Sequence, residues 1–139
     1  MTVAVKRPSH SSRSLLIEGY ASLFGVADAS GDIVRAGAFS RSLRHGGVSM
    51  LLQHRSSAVA GRWVRMVEDG RGLFVRGLIE GAGAKMLASS GGLDGLSIGF
   101  RPRIWTPRAG KGRVLADVEL VEVSLVAEPM LSGARFSVV

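Results

Sequence analysis

Residues 95–126 read GLSIGFRPRIWTPRAGKGRVLADVELVEVSLV. Two apolar, strand-like runs at residues 96–106 and 113–126 flank a glycine-containing loop at residues 107–112. Two such runs on either side of a short loop are typical of a β-hairpin. The sequence therefore predicts a long antiparallel strand pair in the second half of the chain.

Shorter elements lie on either side of this hairpin. Similar patterns predict strands at residues 14–23, 33–35, 48–54, 61–67 and 72–79, and short helices at residues 38–44 and 82–90. Six or seven strands with a few short helices predict a mainly β fold, a small and mostly antiparallel β-barrel. Residues 1–13 are polar and basic. We expect them to form a flexible N-terminal arm before a single domain over residues 14–139.

The composition excludes several kinds of protein. The chain has 139 residues, of which 46% are hydrophobic but only 6% aromatic, so aliphatic side chains must fill the core. It contains no cysteine, which excludes disulfides, a thiolate nucleophile and a cysteine-based zinc site. No run approaches the roughly 20 apolar residues of a membrane span, and no signal peptide is recognisable. A cytoplasmic protein is expected.

The net charge of +7 raises the question of an acidic partner. The basic residues are dense around the predicted hairpin tip, which carries Arg108, Lys111 and Arg113. This tip is either a solvated turn or a surface for an acidic partner. Aromatic residues that stack on nucleic-acid bases are few, which makes single-strand nucleic-acid binding an unfavoured interpretation.

Ser97 lies between Gly95 and Gly99 in a predicted strand. Small residues in a strand are typical of close packing. Glycines beside a nucleophile also let a substrate backbone approach, and they leave N–H groups available for an oxyanion. The serine lies in no familiar local motif such as the Gly-x-Ser-x-Gly elbow. From these residues alone, both a packing role and a catalytic role for Ser97 stay open.

A histidine would be needed to activate such a serine, and the chain has three. His10 falls in the predicted arm, and His45 at the end of a predicted helix, where histidine commonly binds carbonyl groups. His54 ends a predicted buried strand, where packing could hold its ring at a cleft. His54 is therefore the candidate general base.

Glu122 is the candidate third residue of a serine-hydrolase relay. Alternation from residue 117 places it on one strand face with Val118, Leu120 and Ser124, where it is the only charge. An unpaired carboxylate on such a face would be costly, so we expect it to contact His54 or an arginine.

Eight short blocks of the sequence follow the order of a known family. They are GYASLF at 19–24, GDIV at 31–34, GAF at 37–39, LQH at 52–54, GRW at 61–63, GLFV at 72–75, GLSIGF at 95–100 and EVSLV at 122–126. Through these ordered blocks the chain resembles the tailed-phage prohead (capsid maturation) proteases and, more distantly, the herpesvirus assemblin proteases.

The resemblance implies an assemblin-like fold and a serine endopeptidase that cleaves the scaffolding segment of the major capsid protein, and its own chain, during procapsid maturation. It implies Ser97 as nucleophile, His54 as general base and Glu122 as the acid that orients His54. No cofactor and no metal is expected. The implied partners are the capsid protein and the protease itself, and a homodimer or higher oligomer is compatible with them. The implied location is the assembling procapsid in the cytoplasm of a bacterial host.

Two other classes of function stay open from the sequence. One is a non-catalytic capsid-assembly or scaffold-binding barrel of the same fold. The other is a basic nucleic-acid-binding barrel. Chemical reactivity of Ser97 that depends on His54 would separate the protease from both.

Overall fold

The structure, a computed structural model, describes residues 13–139. The predicted arm over residues 1–13 therefore lies, except for Arg13, outside the described residues. The described part contains eight strands and two short helices. The strands are β1 (Leu15–Leu23), β2 (Ile33–Val34), β3 (Ser49–Leu52), β4 (Arg55–Glu68), β5 (Gly72–Ile79), β6 (Gly95–Pro107), β7 (Arg113–Val126) and β8 (Phe136–Val138), and the helices are α1 (Ser40–His45) and α2 (Ala82–Ser90).

The strands form one mixed sheet in the order β2-β7-β3-β4-β5-β1-β8, with β6 also paired to β7. Most pairs are antiparallel, but β2 and β3 run parallel to β7. The predicted mainly β, mostly antiparallel fold is confirmed. The structure has eight strands where six or seven were predicted. The strand missing from the prediction is β8, which has only three residues and shows no alternation.

The sheet curves but does not close. Among the described residues, strand pairing leaves a gap between β6 and β8, and one isolated bridge from Gly95 to Arg135 spans it. The word barrel therefore describes the sheet only loosely. The side chains with no exposed surface that fill its interior include Ile17, Phe39, Leu73, Ile79, Leu96, Leu115, Val123 and Leu125.

The two helices cover parts of this sheet. Helix α2 has the predicted bounds and ends at Gly91, whose φ of 84° is the left-handed conformation typical of a helix C-terminus. Helix α1 begins two residues later than predicted. The Glu68 carboxylate accepts hydrogen bonds from the N–H groups of Gly37 and Phe39, so β4 fixes the chain just before α1. Within residues 13–139, neither helix is long and apolar enough to cross a membrane.

A β-bulge in β7 decides which residues share a face. Gly99 pairs with Glu122 and Phe100 with Leu120, so Val121 is an extra residue on β7. Because paired residues share a face, Leu120 joins Phe100 on the core face, while Glu122 joins Gly99 on the opposite face. The prediction that Leu120 and Glu122 lie on one face is therefore wrong. Regular alternation does not continue across a bulge.

Candidate active site

The turn between β3 and β4 holds His54 in an unusual backbone conformation. Leu52 pairs with Arg55, and the two residues between them, Gln53 and His54, have φ of 51° and 62°. Positive φ at both central residues defines a type I′ turn, which normally favours Asn and Gly. Each side chain in this region costs roughly 1–2 kcal/mol. The predicted strand over residues 48–54 thus ends at Leu52, and His54 lies in a strained turn.

The His54 ring contacts the Glu122 carboxylate. Nδ1 of His54 lies 2.6 Å from Oε2 of Glu122. An ionised carboxylate only accepts hydrogen bonds, so in a neutral imidazole ring Nδ1 would carry the proton and Nε2 the lone pair. The His54 side chain is 40% exposed and that of Glu122 is 11% exposed. The expected partner of Glu122 is therefore His54.

Ser124 connects the same two residues from the other side. Its hydroxyl donates to Oε1 of Glu122 at 2.6 Å and accepts the backbone N–H of His54 at 3.1 Å. Ser124 has no exposed surface. The sequence analysis assigned no function to Ser124. The available signal was its position two residues after Glu122, which places both side chains on one strand face.

Ser97 lies beside this network. It pairs with Ser124 across β6 and β7, and residues opposite each other in such a pair have Cβ atoms about 4.5–5.5 Å apart. Ser97 is 4% exposed. Within residues 13–139 its hydroxyl makes no hydrogen bond, so no described protein group competes for its proton. The structure thus brings Glu122 and His54 into contact and places Ser97 on the adjacent strand.

The two glycines that flank Ser97 have separate structural reasons. A Cβ on Gly99 would lie 2.1 Å from Oε2 of Glu122, so glycine there makes room for the carboxylate. A Cβ on Gly95 would lie 2.8 Å from the ring of Pro129. Glu122 and Pro129 thus occupy the side-chain space of the two glycines, which is the close packing that small residues in a strand predict.

A cavity of about 250 Å³ opens next to Ser97. It is lined by Ala21, Ser22, Val26, Asp28, Ser30, Asp32, Val34, Leu96, Ser97, Ile98, Phe100, Arg113, Met130 and Leu131. His54 and Glu122 are not part of its wall. Ser97 therefore borders both the cavity and the network that holds His54.

The β6–β7 hairpin tip packs against one wall of this cavity. Lys111 Nζ donates to the Ala29 carbonyl at 2.9 Å, and the Arg108 guanidinium donates to the Gly31 carbonyl. Arg113 forms a 2.7 Å ion pair with Asp32. The three basic side chains of the tip thus bind the turn at residues 28–32, while residues 109–111 are exposed, as expected for a solvated turn. A surface for an acidic partner stays a prediction.

This ion pair also changes the ionisation of Asp32. Hydrogen bonds from the Arg113 side chain hold the pKa of the Asp32 carboxyl below its ordinary value. The Asp32 side chain is 6% exposed and that of Arg113 is 34% exposed, so the carboxylate is largely withdrawn from water while its partner stays in contact with it.

The other histidine candidates lie elsewhere. His45 is exposed at the end of α1, and its Nδ1 lies 2.9 Å from the Arg41 carbonyl oxygen, as expected for a histidine that satisfies a helix terminus. His10 lies outside the described residues.

Comparison with known proteins identifies relatives of the chain. A model of the caudovirus prohead serine protease family matches residues 2–139. The prohead protease of Enterobacteria phage HK97 is 36% identical over 93 residues, which cover 61% of this chain and 41% of that protein. The chain therefore spans less than half the length of this curated relative.

Two solved herpesvirus structures share the fold. KSHV protease in complex with a hexapeptide phosphonate inhibitor has a TM-score of 0.61 and 15% identity, over 89% of this chain and 64% of that one. Varicella-zoster virus protease has a TM-score of 0.60 and 14% identity, over 88% of this chain and 63% of that one. At these identities the likeness shows the fold alone.

Proposed function

The chain belongs to the caudovirus prohead serine protease family, and we propose that it is a serine endopeptidase of procapsid maturation. Its substrates are the scaffolding segment of the major capsid protein and its own chain, cut inside the procapsid in the bacterial cytoplasm. The observation that carries the proposal is the 2.6 Å contact between His54 Nδ1 and Glu122 beside the unbonded hydroxyl of Ser97. Because Glu122 engages Nδ1, Nε2 of His54 can act as the base. Ser97 lies on β6, the strand paired with the strand of Glu122.

The reaction is acyl transfer through a covalent intermediate. The Ser97 oxygen attacks the peptide carbonyl as its proton passes to His54 Nε2. When the tetrahedral intermediate collapses, the C–N bond breaks and His54 returns that proton to the leaving amine. A water molecule then attacks the acyl-enzyme, gives its proton to His54, and Ser97 leaves with that proton. Glu122 holds the ring in the required tautomer and stabilises the imidazolium in both steps.

The cavity beside Ser97 supports a peptide substrate. Its apolar wall includes Val26, Val34, Phe100 and Met130, which would contact a substrate side chain next to the scissile bond. Binding of such a side chain would orient the substrate carbonyl for attack.

A serine-directed fluorophosphonate probe tests the proposal. We expect labelling at Ser97, detected by mass spectrometry of the digested protein, and loss of labelling in Ser97→Ala and in His54→Ala. Ser42→Ala is the matched control, since Ser42 is buried and its hydroxyl bonds to the backbone of Val118 and Leu120, away from the cavity. Glu122→Gln should label more slowly than wild type yet measurably, because the third member of such a relay orients rather than transfers the proton.

Co-expression with the major capsid protein of the same phage tests the substrate. The mass of the capsid chain should fall by one N- or C-terminal segment with the wild type and stay unchanged with Ser97→Ala. A wild-type protein that binds the capsid chain but neither labels nor trims it would instead favour the non-catalytic assembly function.

A further inference from the structure

Ser124 is a second buried serine at the site, and its hydrogen bonds differ from those of an ordinary core serine. A core serine usually bonds to the backbone of its own element. The Ser124 hydroxyl instead donates to Glu122 Oε1 at 2.6 Å and accepts from the His54 N–H at 3.1 Å. Both partners belong to the proposed catalytic relay.

The bond to Glu122 fixes the direction of the carboxylate. One oxygen, Oε2, accepts from His54 and the other, Oε1, accepts from Ser124. With both oxygens engaged, rotation of the carboxylate about its terminal bond is blocked. Without the Ser124 hydroxyl, Oε1 would lose a charge-assisted hydrogen bond in a largely buried place, and the carboxylate could turn away from the ring.

The bond to the His54 N–H fixes the backbone of the base. His54 has φ of 62°, a conformation that non-glycine residues adopt only when neighbouring contacts enforce it. Two backbone N–H groups hold this turn to β7: that of Gln53 donates to the Leu125 carbonyl, and that of His54 donates to Ser124. Ser124 accepts the bond that is donated by the backbone of the base itself, His54.

We propose that Ser124 is a positioning residue for the reaction, whose single hydroxyl sets the orientation of Glu122 and the backbone of His54 together. This inference rests on the proposed function. It concerns the rate of chemistry at Ser97 rather than binding, because Ser124 has no exposed surface and is not part of the cavity wall.

The test measures fluorophosphonate labelling of Ser97 in the full chain at a series of probe concentrations. The rate at saturating probe (kinact) is separated from the concentration that gives half of it (KI). In Ser124→Ala we expect kinact to fall about 100-fold, as misplacement of a catalytic group by about 1 Å does, with KI nearly unchanged. Ser124→Thr keeps the hydroxyl and should recover most of the rate.

Ser42 provides the matched control. It is also buried, donates to the Val118 carbonyl at 3.1 Å and accepts the Leu120 N–H at 2.8 Å, so it has the same number of bonds away from the site. Ser42→Ala should lose a similar amount of stability in denaturant unfolding and keep the wild-type kinact. A purely structural role for Ser124 would make the two alanine variants equal in both measurements.

The outcomes are separable. Wild type that does not label refutes the proposed function, and with it any positioning role. Wild type that labels while Ser124→Ala labels equally fast overturns the positioning role alone. If Ser124→Ala does not fold, Ser124→Cys decides, because it keeps the shape of the side chain with a much weaker donor. A folded Ser124→Cys with wild-type kinact would refute the inference, and a large loss of kinact with KI unchanged supports it.

Discussion

At the scale of single residues, the site depends on one unfavourable backbone conformation. Gln53 and His54 both have positive φ, although neither is a residue that a type I′ turn favours. Strain of this kind persists only where surrounding contacts determine it, and it clusters at functional sites. Here the contacts come from β7, which binds the turn through the Leu125 carbonyl and the Ser124 hydroxyl. Two strands therefore have to be correctly paired before His54 meets Glu122.

Gly99 should be essential for reactivity but not for folding. In Gly99→Ala the new Cβ would lie 2.1 Å from Oε2 of Glu122. Relief comes most easily from the flexible end of that side chain, so the carboxylate moves away from His54 while the strand stays paired. We expect an unfolding midpoint near that of wild type and fluorophosphonate labelling of Ser97 slowed about 100-fold.

Gly83→Ala is the control for this prediction. Gly83 lies in α2 with nothing within 4 Å of its Cβ position, so the change should leave labelling unchanged and slightly raise stability. A Gly99→Ala protein that labels as fast as wild type would show that Glu122 keeps its contact with His54 in another way.

The residues of the site were only partly predictable from the sequence. A carboxylate that is the only charge on an apolar strand face needs a partner, and this is how Glu122 could be connected to His54. The contribution of Ser124 could not be predicted, because it depends on the left-handed turn at His54, and Gln-His carries no signal for that turn. Gly99 makes room for the Glu122 carboxylate, and this depends on the bulge at Val121, which places Glu122 opposite Gly99.

At the scale of elements, the hairpin tip supports the cavity wall. The turn at residues 28–32 is held internally by Asp28, whose Oδ1 accepts the N–H groups of Ser30 and Asp32. It is held externally by Arg113, which donates to Asp32 through its backbone N–H and its guanidinium. The tip residues thus act on the shape of the cavity beside Ser97.

The ion pair of the tip predicts a specific dependence of stability on pH. Since Arg113 lowers the pKa of Asp32, ionised Asp32 stabilises the folded protein at pH values above the unfolded value of about 3.9. That stabilisation is lost as the pH falls below this value toward the folded pKa. The free energy of unfolding of Asp32→Asn should therefore be about 1–2 kcal/mol lower than that of wild type at pH 7. This difference should shrink below a pH of about 4.

Asp94→Asn is the control for this pH series, measured by urea unfolding. Asp94 forms an equally short 2.7 Å pair with Arg135, but its side chain is 53% exposed. Exposed pairs contribute little, so this variant should lose less than about 1 kcal/mol at any pH. An Asp32→Asn deficit that stays constant down to pH 3 would mean that the carboxyl titrates no differently in the folded and unfolded states.

The elements with strong periodicity were predictable and the irregular ones were not. The two long hairpins and α2 follow from apolar alternation and from glycine at the helix end. Strand β8 was missed because three residues form no pattern, and its pairing with β1 depends on a contact between distant parts of the chain. The early end of β3 was missed because its last two predicted residues belong to the turn that carries His54.

At the scale of the whole molecule, β7 is the strand that unites the site. It pairs with β2, β3 and β6, and thereby joins the turn after β3 to the strand of Ser97. Its residue Glu122 lies on the face opposite the core, in contact with the turn at residues 53–54. The site therefore requires the complete sheet rather than any one hairpin.

The short strand β8 should contribute to stability far beyond its length. Phe136 is 6% exposed and belongs to the core, and its N–H donates to the Asp94 carbonyl at 2.8 Å. Loss of a buried phenylalanine side chain costs about 3–5 kcal/mol, so Phe136→Ala should melt about 10 °C lower. Val138→Ala, in the same strand but 45% exposed, should melt close to wild type.

This variant also tests whether the site melts with the rest of the molecule. The Leu96 N–H donates to the Ala134 carbonyl at 2.9 Å, so the chain before β8 is bonded to the residue next to Ser97. Since Phe136 shares one core with Leu96, labelling of Ser97 in Phe136→Ala should be normal at 25 °C and should disappear on heating together with the circular dichroism signal. Labelling lost well below that transition would mean that β8 detaches locally, and that the gap between β6 and β8 opens before the sheet unfolds.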